Sequence, residues 1–345
     1  MQTKTLRINP KKPELSKIRK AAKAIRHGKL VAFPTETVYG LGANALDPMA
    51  VKKIFEAKGR PSDNPLIIHI SDRNDILFLA RNIPPIAGRI TQKFWPGPLT
   101  IVLKKSKIVP KITTGGLDTV AIRMPKNKIA QLLIKEAGIP LAAPSANFAG
   151  RPSPTMARHV LDDLEGRIGL IIDGGKTMIG IESTVVDLSG KTPVLLRPGG
   201  VTLEQLRKVV GRVVVHSTLI GKRSSSIHRS PGMKYRHYSP NAKIILIEGT
   251  KKKVNAKILE LLNSFKRQRK KVGIMTMEKN FRHKADMKRH IGTDHEKIAA
   301  NLFKTFREFD SKKIDIILAQ GISEEGLGFG IMNRLRKAAH KKIRV

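Results

Sequence analysis

Five small groups of residues have the types to do chemistry. Thr35, Glu36, Thr37 and Tyr39 follow an apolar run (Leu30–Phe33) that stops at Pro34. Lys58 and Arg60 flank Gly59, and Ser145 and Asn147 flank an alanine. Arg123 and Arg197 each end an apolar run just ahead of a proline, and Ser183-Thr184 follow Gly180. Lysine offers a mobile point charge, and arginine a planar fork that grips two phosphate oxygens. Short hydroxyls and amides bind phosphate oxygens or the polar ends of a small substrate without filling a pocket. Each group also has an ordinary reading. Cations at a helix C-terminus are favoured by its dipole, which on local grounds explains Lys58 and Arg60, and Ser and Asn favour turns. If the four cations converge on one cleft, they suit an ATP polyphosphate plus a second anion.

His69 lies in PLIIHI and by strand periodicity shares a face with Ile67. A histidine so placed is usually a satisfied core residue; here the reading leans slightly towards a substrate contact. No two histidines stand at helical ligand spacing with a carboxylate, and the acidic residues are scattered. Mg²⁺ held mainly by substrate phosphates needs few protein ligands and stays compatible. Gly326–Gly330 (GLGFG) lacks the spacing of a dinucleotide loop and is discarded, and Gly115-Gly116 reads as a turn.

The elements that must position these groups follow from periodicity and punctuation. Helices are predicted over Glu14–His27, Asp47–Lys58 (Gly59 as the stop), Asp75–Ala80, Pro84–Phe94, Asn127–Ala137, Ser153–Leu164 and Leu203–Val210, the last opened by a capping box. Strands are predicted over Lys29–Phe33, Pro65–Ile70, Leu99–Leu103, Thr119–Met124, Ile168–Asp173, Glu182–Leu188, Val194–Leu196 and Val213–His216. Val31–Phe33 is then a buried strand that spills polar groups into a cleft at its C-terminal end, where open α/β sheets place ligands. Strands and helices are mixed, so a mixed sheet is expected. Gly221–Pro240 is polar, serine-rich and basic, and reads as a linker. Beyond it the order βαβαβα, from Lys243 to about Ala339, suggests a small three-layer parallel-sheet domain. The domain boundaries expected are 1–217, a linker of 218–241 and 242–345.

With 345 residues and 40% hydrophobic content, two domains can each bury a core. The 66 Lys+Arg against 27 Asp+Glu give a formal charge of +39, a field that gathers polyanions such as nucleotides or RNA. Aromatic residues make up only 4%, which gives little support to a base-stacking platform. The absence of cysteine excludes disulfides, thiolate zinc sites and a cysteine nucleophile. No apolar stretch approaches a membrane span, and the N-terminus has basic residues without an apolar core segment. A soluble, cytoplasmic protein is expected.

Taken together, PTETVYGLGA (34–43), KGR (58–60), NPLIIHI (64–70), FWPGPLT (94–100), AIRMP (121–125), APSAN (143–147), ESTVVD (182–187) and RPG (197–199) resemble the YrdC-type catalytic domain of the L-threonylcarbamoyladenylate synthase family. SPGMKYRHYSP (230–240) is similar to the linker signature of its two-domain members. The resemblance implies a YrdC-like twisted mixed sheet with an open basic cleft, followed by a small Rossmann-like domain. The implied reaction joins L-threonine, bicarbonate (or CO₂) and ATP into threonylcarbamoyl-AMP with release of pyrophosphate, which makes the enzyme a nucleotidyltransferase. A separate tRNA threonylcarbamoyl-transferase complex would then modify the adenosine beside the anticodon, and direct tRNA contact is an open partner. By matching position, Thr37, His69, Arg123, Ala143 (through its backbone) and Ser183 would hold threonine. Arg60, Asn64, Thr119, Ser145, Ser153, Arg197 and a linker tyrosine, Tyr235 or Tyr238, would hold ATP with its Mg²⁺. Lys58 and Asn147 complete the K-x-R and S-x-N pairs. The linker could close over bound nucleotide as a lid. An RNA-binding module of the same fold is the main alternative. The hydrogenase-maturing carbamoyltransferase, which has a similar domain, carries cysteine zinc fingers that this chain lacks.

Overall fold

The computed structural model describes residues 2–221, 238–279, 281 and 283–345. The chain divides into two units, Met1–Ala149 with Ser153–Tyr235, and Gly150–Pro152 with Arg236–Val345.

The first unit opens with β1 (Lys4–Arg7), α1 (Leu15–Arg26), β2 (Val31–Pro34), β3 (Tyr39–Asn44) and α2 (Pro48–Lys58). It continues through β4 (Ile67–His69), α3 (Ile76–Leu79), β5 (Ala80–Arg81), α4 (Pro85–Phe94), β6 (Leu99–Lys105), β7 (Thr119–Arg123), α5 (Lys128–Ala137) and β8 (Leu141–Ala142). It ends with α6 (Ala157–Leu164), β9 (Leu170–Asp173), β10 (Thr184–Asp187), β11 (Val194–Arg197), α7 (Leu203–Val210) and β12 (Val214–Val215). These strands form one mixed sheet in the order β1-β9-β2-β3-β8-β4-β7-β6-β10-β11-β12, with β5 on β6. The helix ends obey the local chemistry. Asp47 caps α2 by accepting from the Met49 amide, Asn127 caps α5, and Thr202 with Gln205 forms the expected capping box on α7. Helices α1 and α5 pack over β2 and β9 through Ile18, Ala22, Ile25, Ile129, Leu133 and Phe33, all buried.

Two expectations change. The helix expected from Ser153 begins only at Ala157. The Pro154 and Thr155 carbonyls accept instead from Tyr39 and Thr177, which holds that stretch extended. β3, antiparallel to β2, fills a stretch read only as polar groups and glycines.

In the second unit β13 (Lys243–Glu248), α8 (Lys251–Arg267), β14 (Val272–Thr276), β15 (Met287–His290), α9 (His295–Ser311), β16 (Ile316–Gln320), α10 (Leu327–Ala338) and β17 (Lys341–Arg344) build a parallel sheet in the order β15-β14-β16-β13-β17. Ile245, Ile247, Ile274 and Leu318 bury against Val254, Ile258 and Leu262 of α8. β15 and β17 were not expected from the sequence; their faces are largely exposed and charged.

Candidate active site

The turn after β2 is fixed by its own side chains. The Thr35 hydroxyl donates to the Val38 carbonyl at 2.6 Å, accepts from the Val38 amide, and lies 2.8 Å from the Thr37 hydroxyl. Glu36 is thereby turned inward. Its Oε1 accepts from Arg123 Nη2 at 2.7 Å and its Oε2 from the Lys126 amide at 3.1 Å. Arg123 ends β7, where parallel pairing sets it opposite His69 of β4 and antiparallel pairing sets it opposite Thr100 of β6. Burial, with the Arg123 charge adding to it, pulls the His69 pKa down to about 3. The ring is therefore a neutral imidazole, its Nδ1 3.2 Å from the Ile67 carbonyl.

The row continues across the sheet. Thr100 Oγ1 and Ser183 Oγ are 2.8 Å apart. Arg197, at the end of β11, donates from Nε to the Ser183 carbonyl at 3.0 Å and from Nη2 to the Ser183 hydroxyl at 3.1 Å. His69, Arg123, Thr100, Ser183 and Arg197 thus form a buried polar strip across a sheet whose strands are otherwise mostly apolar.

A second cluster lies around the end of α2. Gly59 adopts a left-handed conformation (φ 59°) that stops the helix. Lys58, fully buried, sends Nζ to the backbone carbonyls of Ser145 and Asn147. Burial pushes its pKa well below the usual lysine range, the Arg60 charge adds to this, and Asp163 opposes it. The Lys58 carbonyl in turn accepts from the Ala149 amide at 2.8 Å. Within the loop, Ser145 Oγ donates to Asn147 Oδ1 at 2.6 Å, and Asn147 Nδ2 to the Phe148 carbonyl at 2.7 Å. Arg60 Nη2 bridges the Asn64 and Pro65 carbonyls at 3.3 and 3.2 Å. Asn64 Nδ2 is buried and, among the described residues, has no hydrogen-bond partner. The Ala143 amide donates to Ile67 at 2.9 Å, and Ser145 bridges to Gly40 of β3. Ser153 Oγ meets Glu182 Oε1 at 2.5 Å, next in sequence to Ser183.

Thr37, His69, Arg123, Ser183 and Arg197 therefore stand near one another along the strip, and Lys58, Arg60, Asn64, Ala143, Ser145 and Asn147 gather beside it. Thr119 is buried at the opposite end of β7 from Arg123, about 13 Å away along the strand. Tyr238 belongs to the second unit, where it stacks on Phe303 at 5.3 Å. Tyr235 and the lid expectation lie outside the described residues. Sequence reasoning did not assign Glu36 to Arg123, nor Thr100 or Glu182 to the site. Glu36 at least stood out as a carboxylate beyond a strand end, whereas Thr100 is an ordinary strand residue. Lys58 differs from its local reading, because its ammonium reaches the loop 145–147 and not its own helix end.

The family model described as "Telomere recombination", covering the Sua5, YciO and YrdC proteins, matches residues 23–199. The chain belongs to the Sua5/YciO/YrdC family. A second model, described as the C-terminal domain of threonylcarbamoyl-AMP synthase, matches residues 201–340. Relatives named threonylcarbamoyl-AMP synthase include those of Pyrococcus abyssi and Bacillus subtilis. That of Pyrococcus abyssi is 56% identical over 95% of both chains, and that of Bacillus subtilis 46% over 94% of both. A crystal structure of P. abyssi Sua5 complexed with L-threonine superposes with a TM-score of 0.95 at 53% identity, covering 99% of this chain and 100% of that one. The E. coli YciO structure matches 57% of this chain and 95% of its own with a TM-score of 0.52 at 27% identity. The mixed sheet of the first unit is thus a Sua5/YciO/YrdC sheet, and the similarity to Sua5 extends over both units.

Proposed function

We propose that this chain is a threonylcarbamoyl-AMP synthase that catalyses the first step of tRNA threonylcarbamoyladenosine formation. The carrying observation is the buried strip in which Glu36 pins Arg123 beside the neutral ring of His69 and the paired hydroxyls of Thr100 and Ser183. A guanidinium, an uncharged imidazole and hydroxyls match the carboxylate, ammonium and hydroxyl of threonine, the amino acid that the P. abyssi Sua5 structure holds. In this reading Thr37, His69, Arg123, Ala143 and Ser183 hold threonine. Arg60, Asn64, Thr119, Ser145, Ser153 and Arg197, with a linker tyrosine, hold ATP.

The threonine amine takes up CO₂ to become a carbamate and gives up a proton. A carbamate oxygen attacks the α-phosphorus, the new O–P bond forms, and the bond to the bridging oxygen of pyrophosphate breaks. The reaction is a nucleotidyl transfer that needs no protein nucleophile. Two anions must meet, so guanidinium and amide donors held by the fold lower the barrier by opposing their repulsion, and alignment supplies much of the rest. Lys58 acts through the loop it anchors, holding Ser145 and Asn147 in place. Glu36 and Glu182 already accept from protein donors, and among the described residues no group of three acidic or histidine side chains could cage a metal. That donor set fits a Mg²⁺ carried by the nucleotide phosphates, where it would neutralise their charge. A tRNA threonylcarbamoyl-transferase complex would consume the product, with tRNA contact through the basic surface. Pyrophosphate release that requires both L-threonine and bicarbonate is the expected result; release with either one omitted would refute the reading.

A further inference from the structure

At the end of β2 opposite to the Thr35–Thr37 turn, the first unit has a cavity of about 970 Å³. That volume lies at the upper end of the range for small-molecule sites, roughly 300–1,000 Å³. Its floor is apolar and buried, made by Leu30, Ala57, Ile168 and Leu170. Its walls are cationic. Lys20 and Lys23 project from the face of α1 that turns away from buried Ile18, Ala21, Ala22 and Ile25. Lys4 stands on β1, Lys29 precedes β2, and Arg167 lies over the Phe148 ring at 5.0 Å.

The charges are not there to serve the fold. Lys53 donates to the Gly28 carbonyl and His27 bonds the Lys23 carbonyl, so the end of α1 is already capped. Among the described residues, the side chains of Lys4, Lys20, Lys23 and Lys29 make no hydrogen bond or ion pair. Glu56, 3.8 Å from Lys52, is the one carboxylate in the lining. Several cations on one rim create a field that gathers polyanions. A bare anion would leave the apolar floor unused, and a neutral apolar ligand would leave the lysines unused. A nucleotide uses both, with its base on the floor and its phosphates on the rim.

We propose that this cavity is a nucleotide site separate from the active site, occupied by a free nucleotide or by one unit of an RNA strand. The test compares two variants of the full chain with the same change in net charge. The first carries Lys20→Glu, Lys23→Glu and Lys29→Glu; the second carries Lys191→Glu, Lys208→Glu and Arg212→Glu on exposed positions elsewhere in the unit. AMP binding is counted by equilibrium dialysis, and a short fluorescein-labelled single-stranded RNA is titrated by anisotropy at several salt concentrations. A free-nucleotide site predicts one AMP fewer per chain for the first variant than for the second. An RNA site predicts equal AMP counts, with the first variant binding RNA at least about tenfold more weakly and with a log–log salt slope flatter by about two. Should the first variant melt below the parent, Lys20→Gln with Lys23→Gln replaces it in the same assays. Cavity variants that match the control in both assays, whether both bind or neither does, overturn the proposal.

Discussion

Glu36 and Arg123 form a 2.7 Å ion pair whose side chains are only 6% and 5% exposed, respectively. Such a pair costs much to desolvate and contributes little net stability, but removing one partner leaves the other charge buried alone. Glu36→Gln is therefore expected to destabilise the first unit by about 3–5 kcal/mol. It should also raise the Michaelis constant for threonine more than it lowers kcat. Urea unfolding and steady-state kinetics check both, and a midpoint equal to the parent's would show that the pair is not formed.

Lys58 holds two carbonyls of the 145–147 loop, so its loss should act on the nucleotide side of the reaction. Lys58→Met, which keeps the apolar stem, is expected to lower kcat/KM for ATP on the order of a hundredfold, as a misplaced binding loop does. Threonine binding measured by calorimetry without nucleotide should hardly change. Lys58→Arg should not rescue, because a planar fork cannot follow the same path to both carbonyls. Full recovery with arginine would mean that only the charge matters.

Between the ordinary histidine pKa of 6.5 and the folded value of about 3, the unfolded chain takes up a proton at His69 that the folded chain refuses. Stability contributed by this site is complete above 6.5 and falls as pH drops towards 3. His69→Gln should flatten the loss of urea midpoint between neutral pH and about pH 5 relative to the parent. Parallel curves for the two proteins would contradict a buried neutral ring.

Gly59 has a left-handed backbone, and a Cβ built there would lie 2.8 Å from the Phe148 ring. Gly138 closes α5 with a similar φ of 67° and nothing within 4 Å of its Cβ position. Alanine at Gly138 should cost about 1 kcal/mol for conformation alone. Alanine at Gly59 should cost about 2–3 kcal/mol, the excess coming from the aromatic contact. Equal shifts in calorimetric melting would show that the ring moves aside freely.

Much of this was legible in the chain. β2 announces itself by an apolar run cut at Pro34, and α7 by its reciprocal cap, because both signals are local. The functional residue types were visible for the same reason: a Lys-Gly-Arg at a helix stop or an arginine at a strand end is read from neighbours in sequence. β1 and β17 were not visible, since edge strands of mainly Lys, Arg and Thr with a single Leu or Ile and mostly exposed faces show no core-facing alternation. β3 was hidden by near-complete burial on both faces, which erases alternation, and by its two glycines. The Glu36–Arg123 pair spans 87 residues and the Thr100–Ser183 contact 83, and no window along the chain holds both partners. Strand register, which decides such partnerships, is a property of the assembled sheet.

The outermost strand of the first unit has a consequence for synthesis. β1 is synthesised well before its neighbour β9, and the Thr3 hydroxyl donates to the Ile168 carbonyl across 165 residues. At ribosomal speeds of about 5–20 residues per second, that leading segment must wait roughly 10–30 seconds for its partner to emerge. During that interval its lysine and arginine keep it in water, so the charge that weakened its signature as a strand also protects the nascent chain from pairing too soon with itself or with a neighbour.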